Sequence, residues 1–116
     1  MSHTASVQVH FRDREALADA CRELGFALEH GSVTFYDRQT FSGDLVHLPG
    51  WQYPLVFETP EIVHMDHYEG RWGDIAHFHR LKQVYAVHAS IRAVERTGRR
   101  VLQRIEQNGH VQLVVQ

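Results

Sequence analysis

Gly70 and Gly73 bracket an Arg-Trp pair inside Asp66-His67-Tyr68-Glu69-Gly70-Arg71-Trp72-Gly73-Asp74. These residue types suit recognition of an anion or a peptide. Arg71 carries a rigid fork of donors that matches a carboxylate or phosphate. Trp72 offers a flat, largely apolar face with one polar handle. Asp74 opens a long helical pattern, and the amides at a helix start favour negative charge. A plainer reading competes. In it Trp72 fills the core, Arg71 pairs with Glu69 or Asp74, and Gly70 and Gly73 only shape the turn. Asp74, as N-cap, also takes the place that an anion would want.

The ten histidines raise the question of a metal. Several ligands must converge within about 2.0–2.1 Å of one ion. His77 and His79 are two apart in a helical pattern and do not face each other. His64 and His67 are three apart in a strand pattern and point to opposite faces. Neither a His-Glu-x-x-His motif nor a paired-cysteine motif occurs. His64 and His67 are the candidate ligands, and each would need partners from distant parts of the chain. No cofactor is expected.

Arg92, Arg96, Arg99, Arg100 and Arg104 cluster where the long helical pattern ends. Positive charge there suits the helix dipole, and Glu95 and Glu106 dilute it. A solvated, partly paired face accounts for it better than a nucleic-acid patch. Classical catalysis has little support. Ser32, Ser42 and Ser90 lie in no nucleophile elbow, no glycine-rich phosphate loop precedes a helix, and cap and loop roles explain Asp66 and Asp74.

Composition narrows the classes further. A chain of 116 residues predicts one domain with enough length to bury a core. The net charge of -2 argues against a general nucleic-acid binder, which needs surplus Lys and Arg. Cys21 is the single cysteine, so no internal disulfide forms, and its place on an apolar helical side predicts a buried small hydrophobe. Arg12-Asp13-Arg14-Glu15 interrupts any leader-like apolar run, and no stretch reaches the ~18 apolar residues of a membrane span. The expectation is a cytoplasmic protein without membrane contact, a monomer or weak homo-oligomer.

The elements that must position these residues follow from periodicity. Val7, Val9 and Phe11 alternate with polar residues and predict a strand over 6–11. Asp13 caps a helix over 14–24, which Gly25 ends. Phe26–Leu28 and Val33–Tyr36 flank His30-Gly31-Ser32, which reads as a hairpin turn. Residues 37–43 read as a loop, 45–48 as a short strand, and 53–57 and 61–68 as further strands. Asp74 opens a helix over 75–96. Asn108-Gly109 turns a terminal hairpin. A three-residue loop there would place Ile105 opposite Val111 and keep apolar residues on one face, so it is preferred over a two-residue turn. The core is expected to include Val7, Val9, Phe11, Leu17, Leu24, Val33, Phe35, Phe57, Phe78, Leu81, Tyr85, Val101, Ile105, Val111 and Leu113. The architecture is an α+β fold, an antiparallel sheet with both helices packed on one face, with a ferredoxin-like variant among its forms.

Four segments also carry a family likeness: Met1-Ser2-His3, Tyr53-Pro54-Leu55-Val56-Phe57, the Asp66–Asp74 segment, and Leu81–Ser90 with Tyr85-Ala86-Val87. Together with the closing hairpin they resemble the hypothetical chloroplast reading frame thirty-five family of plastids, cyanobacteria and other bacteria. The third segment is similar to its Tyr-Asp-Asn-Tyr-Asn-Gly-x-Trp-Gly-Asp signature. The chain departs from the family pattern at Met65, His67, Glu69 and His88. The family has no established reaction, so the resemblance supplies no catalytic residue. It implies an accessory or adaptor role, because relatives are often encoded beside AAA-type ATPases and a second small protein. A protein partner contacting Gly70, Arg71, Trp72, Gly73 and Asp74 is the leading expectation. The alternative is a small metal- or anion-dependent enzyme or ligand binder that uses the histidines and the same loop.

Overall fold

Nine elements follow one another in the computed structural model, which describes residues 4–67 and 71–116. They are β1 (Thr4–Gln8), α1 (Arg14–Leu24), β2 (Ala27–Thr34), β3 (Thr40–His47), β4 (Leu55–Thr59), β5 (Ile62–Asp66), α2 (Ile75–Arg96), β6 (Val101–Gln107) and β7 (His110–Val115). Five strands form an antiparallel sheet in the order β1-β5-β4-β3-β2. A ferredoxin-like variant needs split β-α-β units with parallel strands. Every described pairing here is antiparallel and β1 lies at the edge, so the plainer arrangement holds.

Both helices pack on one face of that sheet. Ala16, Leu17, Ala20 and Cys21 of α1 and Phe78, Leu81, Val84 and Tyr85 of α2 meet Val46, Leu55, Phe57, Val63 and Met65. Local chemistry fixes the helix ends as expected. Asp13 accepts from the Ala16 amide at 3.1 Å, Asp74 accepts from Ala76 at 2.9 Å, and Gly25 takes the left-handed C-cap conformation at φ 76°. Burial pushes the Cys21 thiol up to about 11, which makes it an inert core residue.

The opposite face carries a second, smaller core. Phe35, Leu45 and Val56 are buried there against Val33, Phe41 and Tyr53. The sheet coils over this face. The β2–β3 turn reaches back to the far edge, where Thr4 donates to Asp37 at 2.8 Å, and the Tyr36 amide meets the buried Asp66 carboxylate at 3.3 Å. Two devices make this coiling possible. The β4–β5 ladder slips register between Phe57 and Thr59, and a bulge bends a strand and increases its twist. Gly43 lies directly against the Phe57 carbonyl, where a Cβ would overlap the oxygen.

Three expectations are corrected. His30-Gly31-Ser32 is no turn: β2 runs unbroken through it, and the turn lies at residues 35–39. Residues 40–43 belong to β3, because Ser32 and Thr34 pair with Ser42 and Thr40 through hydroxyl contacts of 2.6 and 2.8 Å that make a polar strand surface. The terminal hairpin uses the two-residue turn, with Asn108 and Gly109 at φ 51° and 79° and Glu106 opposite Val111. Asn-Gly favours that type I′ turn strongly, and a bulge near Leu102 restores the Val101–Val115 pairing. This hairpin is a sheet of its own leaning on α2. Val101, Ile105, Val111 and Leu113 are therefore half-buried and not core, while Leu102 is 56% exposed.

Charged contacts align the two helices and the hairpin. Arg96 reaches Asp13 at 2.9 Å, Arg92 reaches Asp19 at 2.7 Å and Glu15 at 2.6 Å, and His88 reaches Glu23 at 2.8 Å. Four-residue spacing puts these side chains on one face of α2. Arg104 of β6 clamps Glu23 with two nitrogens at 2.7 and 3.0 Å. Arg104 holds the Glu23 carboxyl down at about 2, against an ordinary 4.5, with burial opposing and His88 assisting.

Two measurements follow. Gly43→Ala is expected to lower unfolding free energy by about 1–3 kcal/mol in urea titrations, the usual cost of overpacking. Gly31→Ala meets only the flexible end of Leu45 at 3.5 Å, so it should be neutral or slightly stabilising. Glu23 contributes its stability fully above about pH 4.5 and loses it as the pH falls towards about 2. Arg104→Gln should therefore flatten the stability–pH curve in that window and leave the neutral-pH fold intact.

Candidate functional site

The segment after β5 is built against the loop that joins β3 and β4. Trp72 donates its backbone amide to the His67 carbonyl at 2.9 Å, and its own carbonyl accepts from Gln52 at 2.8 Å. Trp51 packs flat on Gly73, where any Cβ would overlap the indole, and its Nε1 donates to the Asp74 carbonyl at 3.0 Å. Gly73 is therefore required by contact with Trp51. Trp51 is half-buried by this packing.

Trp72 is half-buried too, and it sits in a tier of rings. Its centroid lies 5.1 Å from Tyr36 and 5.9 Å from Tyr53, which in turn lies 5.6 Å from the buried Phe35. Tyr36 stands at the top of the tier, 65% exposed. Trp72 reaches the second core through Tyr53. Arg71 is exposed beside it. Gly70 lies outside the described residues, as do Tyr68 and Glu69. Asp74 serves as the helix cap through Ala76, so part of the amide field at the α2 start is already used.

The histidines go elsewhere. His67 lies with its ring 5.8 Å from Trp51. His64 is 7% exposed on the coiled face. Its Nδ1 lies 2.7 Å from Ser6 Oγ, its Nε2 lies 2.9 Å from Glu58 Oε2, and its ring stacks on Phe41 at 3.8 Å. Among the described residues no three His, Cys, Asp or Glu side chains are placed to share an ion. The structure does not bring His64 and His67 together.

Comparison with protein-family models, with curated proteins and with solved structures finds no match to this chain. The likeness drawn in the sequence therefore rests on its four segments and the closing hairpin alone.

The basic cluster is consumed within the chain. Arg92, Arg96 and Arg104 pair with acids, and Arg99 and Arg100 bond to Gln116. This is the partly paired face expected from the sequence, with the acids supplied by Asp13, α1 and β6 and neutral oxygens by Gln116. Among the described residues no helix is long and apolar enough to cross a membrane.

Sequence reasoning did not find Tyr36, Tyr53, Ser6 or Glu58. The first two lie on either side of the long polar stretch, and only the coiling of the sheet brings them to Trp72. An expected consequence concerns Trp51. Gly73→Ala should lift the indole off the backbone, shift tryptophan emission to longer wavelength and lower the thermal midpoint, whereas Gly31→Ala, which meets only the Leu45 side chain at 3.5 Å, should leave the emission unchanged.

Proposed function

We propose that this chain is an accessory or adaptor domain that holds a protein partner on the Tyr36–Trp72 surface, within an AAA-type ATPase system of the cytoplasm. The observation that carries the reading is the tier itself: a 65% exposed tyrosine resting on a half-buried tryptophan whose backbone is tied to two neighbouring segments. Aromatic side chains held in place before binding lose little entropy on contact, and such residues dominate the energy of interfaces. Arg71 adds a charged group at the rim, where it sets orientation more than affinity. The family likeness supports the class of partner, and the gene neighbourhood implied by it supports the ATPase. In this reading the domain acts as a monomer or weak homo-oligomer, with no cofactor and no nucleic acid.

The test is affinity capture from the native host with the wild-type chain and with the double variant Tyr36→Ala, Arg71→Ala. Both side chains are exposed, so the variant should melt close to wild type. The wild type is expected to enrich an AAA-type ATPase and the variant to lose it. Equal capture by a folded double variant would remove this surface from consideration.

A further inference from the structure

The contacts around His64 form a relay that the adaptor reading does not use. Ser6 on β1 and His64 on β5 are direct cross-strand partners. Val9, three residues on, donates to the Glu61 carbonyl at 2.8 Å, so odd-numbered residues of β1 turn their backbone groups towards β5. Ser6 and His64 are then a non-hydrogen-bonded pair, the geometry in which facing side chains approach closest. Val56 is His64's partner on β4, and plain alternation keeps Glu58, two residues on, on that face, with its Oε2 2.9 Å from His64 Nε2. A carboxylate only accepts, so Nε2 carries the proton and Nδ1 is left to accept from the Ser6 hydroxyl at 2.7 Å. Phe41 stacked on the ring keeps water off one face of the base. Ser6 itself is exposed on the outermost strand, and the same alternation turns its own N–H outward along the free edge.

We propose that Ser6 is a nucleophile for acyl transfer from a carboxylic ester, with His64 as general base and Glu58 as the positioning residue. Nucleophile, base and orienting carboxylate stand in the order that such chemistry requires. Ser6 Oγ forms the bond to the ester carbon while its proton passes to His64 Nδ1. The carbonyl π pair moves onto oxygen, where the outward Ser6 N–H can donate to it. Collapse restores the carbonyl and breaks the bond to the alcohol oxygen, which leaves with the proton held by His64. Water then attacks the acyl-serine, gives its proton to His64, and Ser6 departs and is reprotonated. The sum is ester plus water to carboxylic acid plus alcohol.

The experiment is labelling of the whole chain with a fluorophosphonate, the adduct located by peptide mass spectrometry. The other histidines give background ester hydrolysis, so adduct at Ser6 is the readout and p-nitrophenyl acetate turnover is secondary. Wild type is expected to be labelled at Ser6, and Ser6→Ala to give no adduct on that peptide. His64→Gln should slow labelling by about 10²-fold or more, the loss typical of a general base. Glu58 is 48% exposed at its side chain, so Glu58→Gln tests the relay without emptying a buried site. It should slow labelling by a smaller factor, and for the ester lower kcat with KM unchanged. A folded wild type, checked by circular dichroism, that yields no Ser6 adduct under excess probe would overturn the proposal. So would a folded Glu58→Gln and a folded His64→Gln that both label at the wild-type rate.

Discussion

The close approach of Gly43 to the Phe57 carbonyl is the constraint on which the rest of the molecule turns. A side chain there would push β3 away from β4. With none, the two strands close up beside the β4 register slip, and the sheet coils instead of lying flat. Everything on the helix-free face depends on that coil. It brings Asp37 to Thr4, Phe41 onto His64 and Tyr36 onto Trp72. Alternation along β4 keeps Glu58 on the face of His64. The aromatic tier is a product of that coil, and the serine–histidine contact, made by the β1–β5 ladder, gains its Phe41 cover from it.

The helix side is held differently. Its apolar core is closed and ordinary, and the charged contacts between α1 and α2 are largely at the surface, where single pairs add little. Their value lies in alignment. Basic groups one turn apart on α2 meet acids along α1, and Arg104 carries the same pattern into the hairpin. The basic cluster thereby places most of its charge against acids of the same chain, as a partly paired face does. Glu23 is the junction, since it joins α1 to both α2 and β6.

What the sequence revealed was local. Asp13, Gly25 and Asp74 each act within a few residues through their own backbone, so both helices were legible to the residue. The polar strand 40–43 was hidden because its hydroxyls face their partners on β2, and polarity without an apolar face reads as loop. The hairpin register failed for a related reason. Apolar face-matching and the turn preference of Asn108-Gly109 point to different registers; the turn wins, with Glu106 opposite Val111, and the bulge near Leu102 restores only the Val101–Val115 pairing. The loop Arg71–Asp74 was found because glycines and a cap mark it. Tyr36, Tyr53 and Ser6 were not, because their partners lie far away in sequence, joined by the coil or by the β1–β5 ladder, and Glu58 was not, because no residue pattern marks its contact with His64 across the β4–β5 turn.

The position of β1 bears on the order in which the chain assembles. Strands β2 to β5 form a simple meander, each pairing with the next, and such local contacts close cheaply. β1 is the first strand made and yet its partner is β5, with Thr4 set against Asp66. Loop-closure entropy therefore sets it to dock after the meander exists. Amide protection at Val7 building up later than at Val46 in pulsed hydrogen exchange is the signature of that sequence of events. During synthesis β1 must wait for β5, more than fifty residues further on, before this pairing can form.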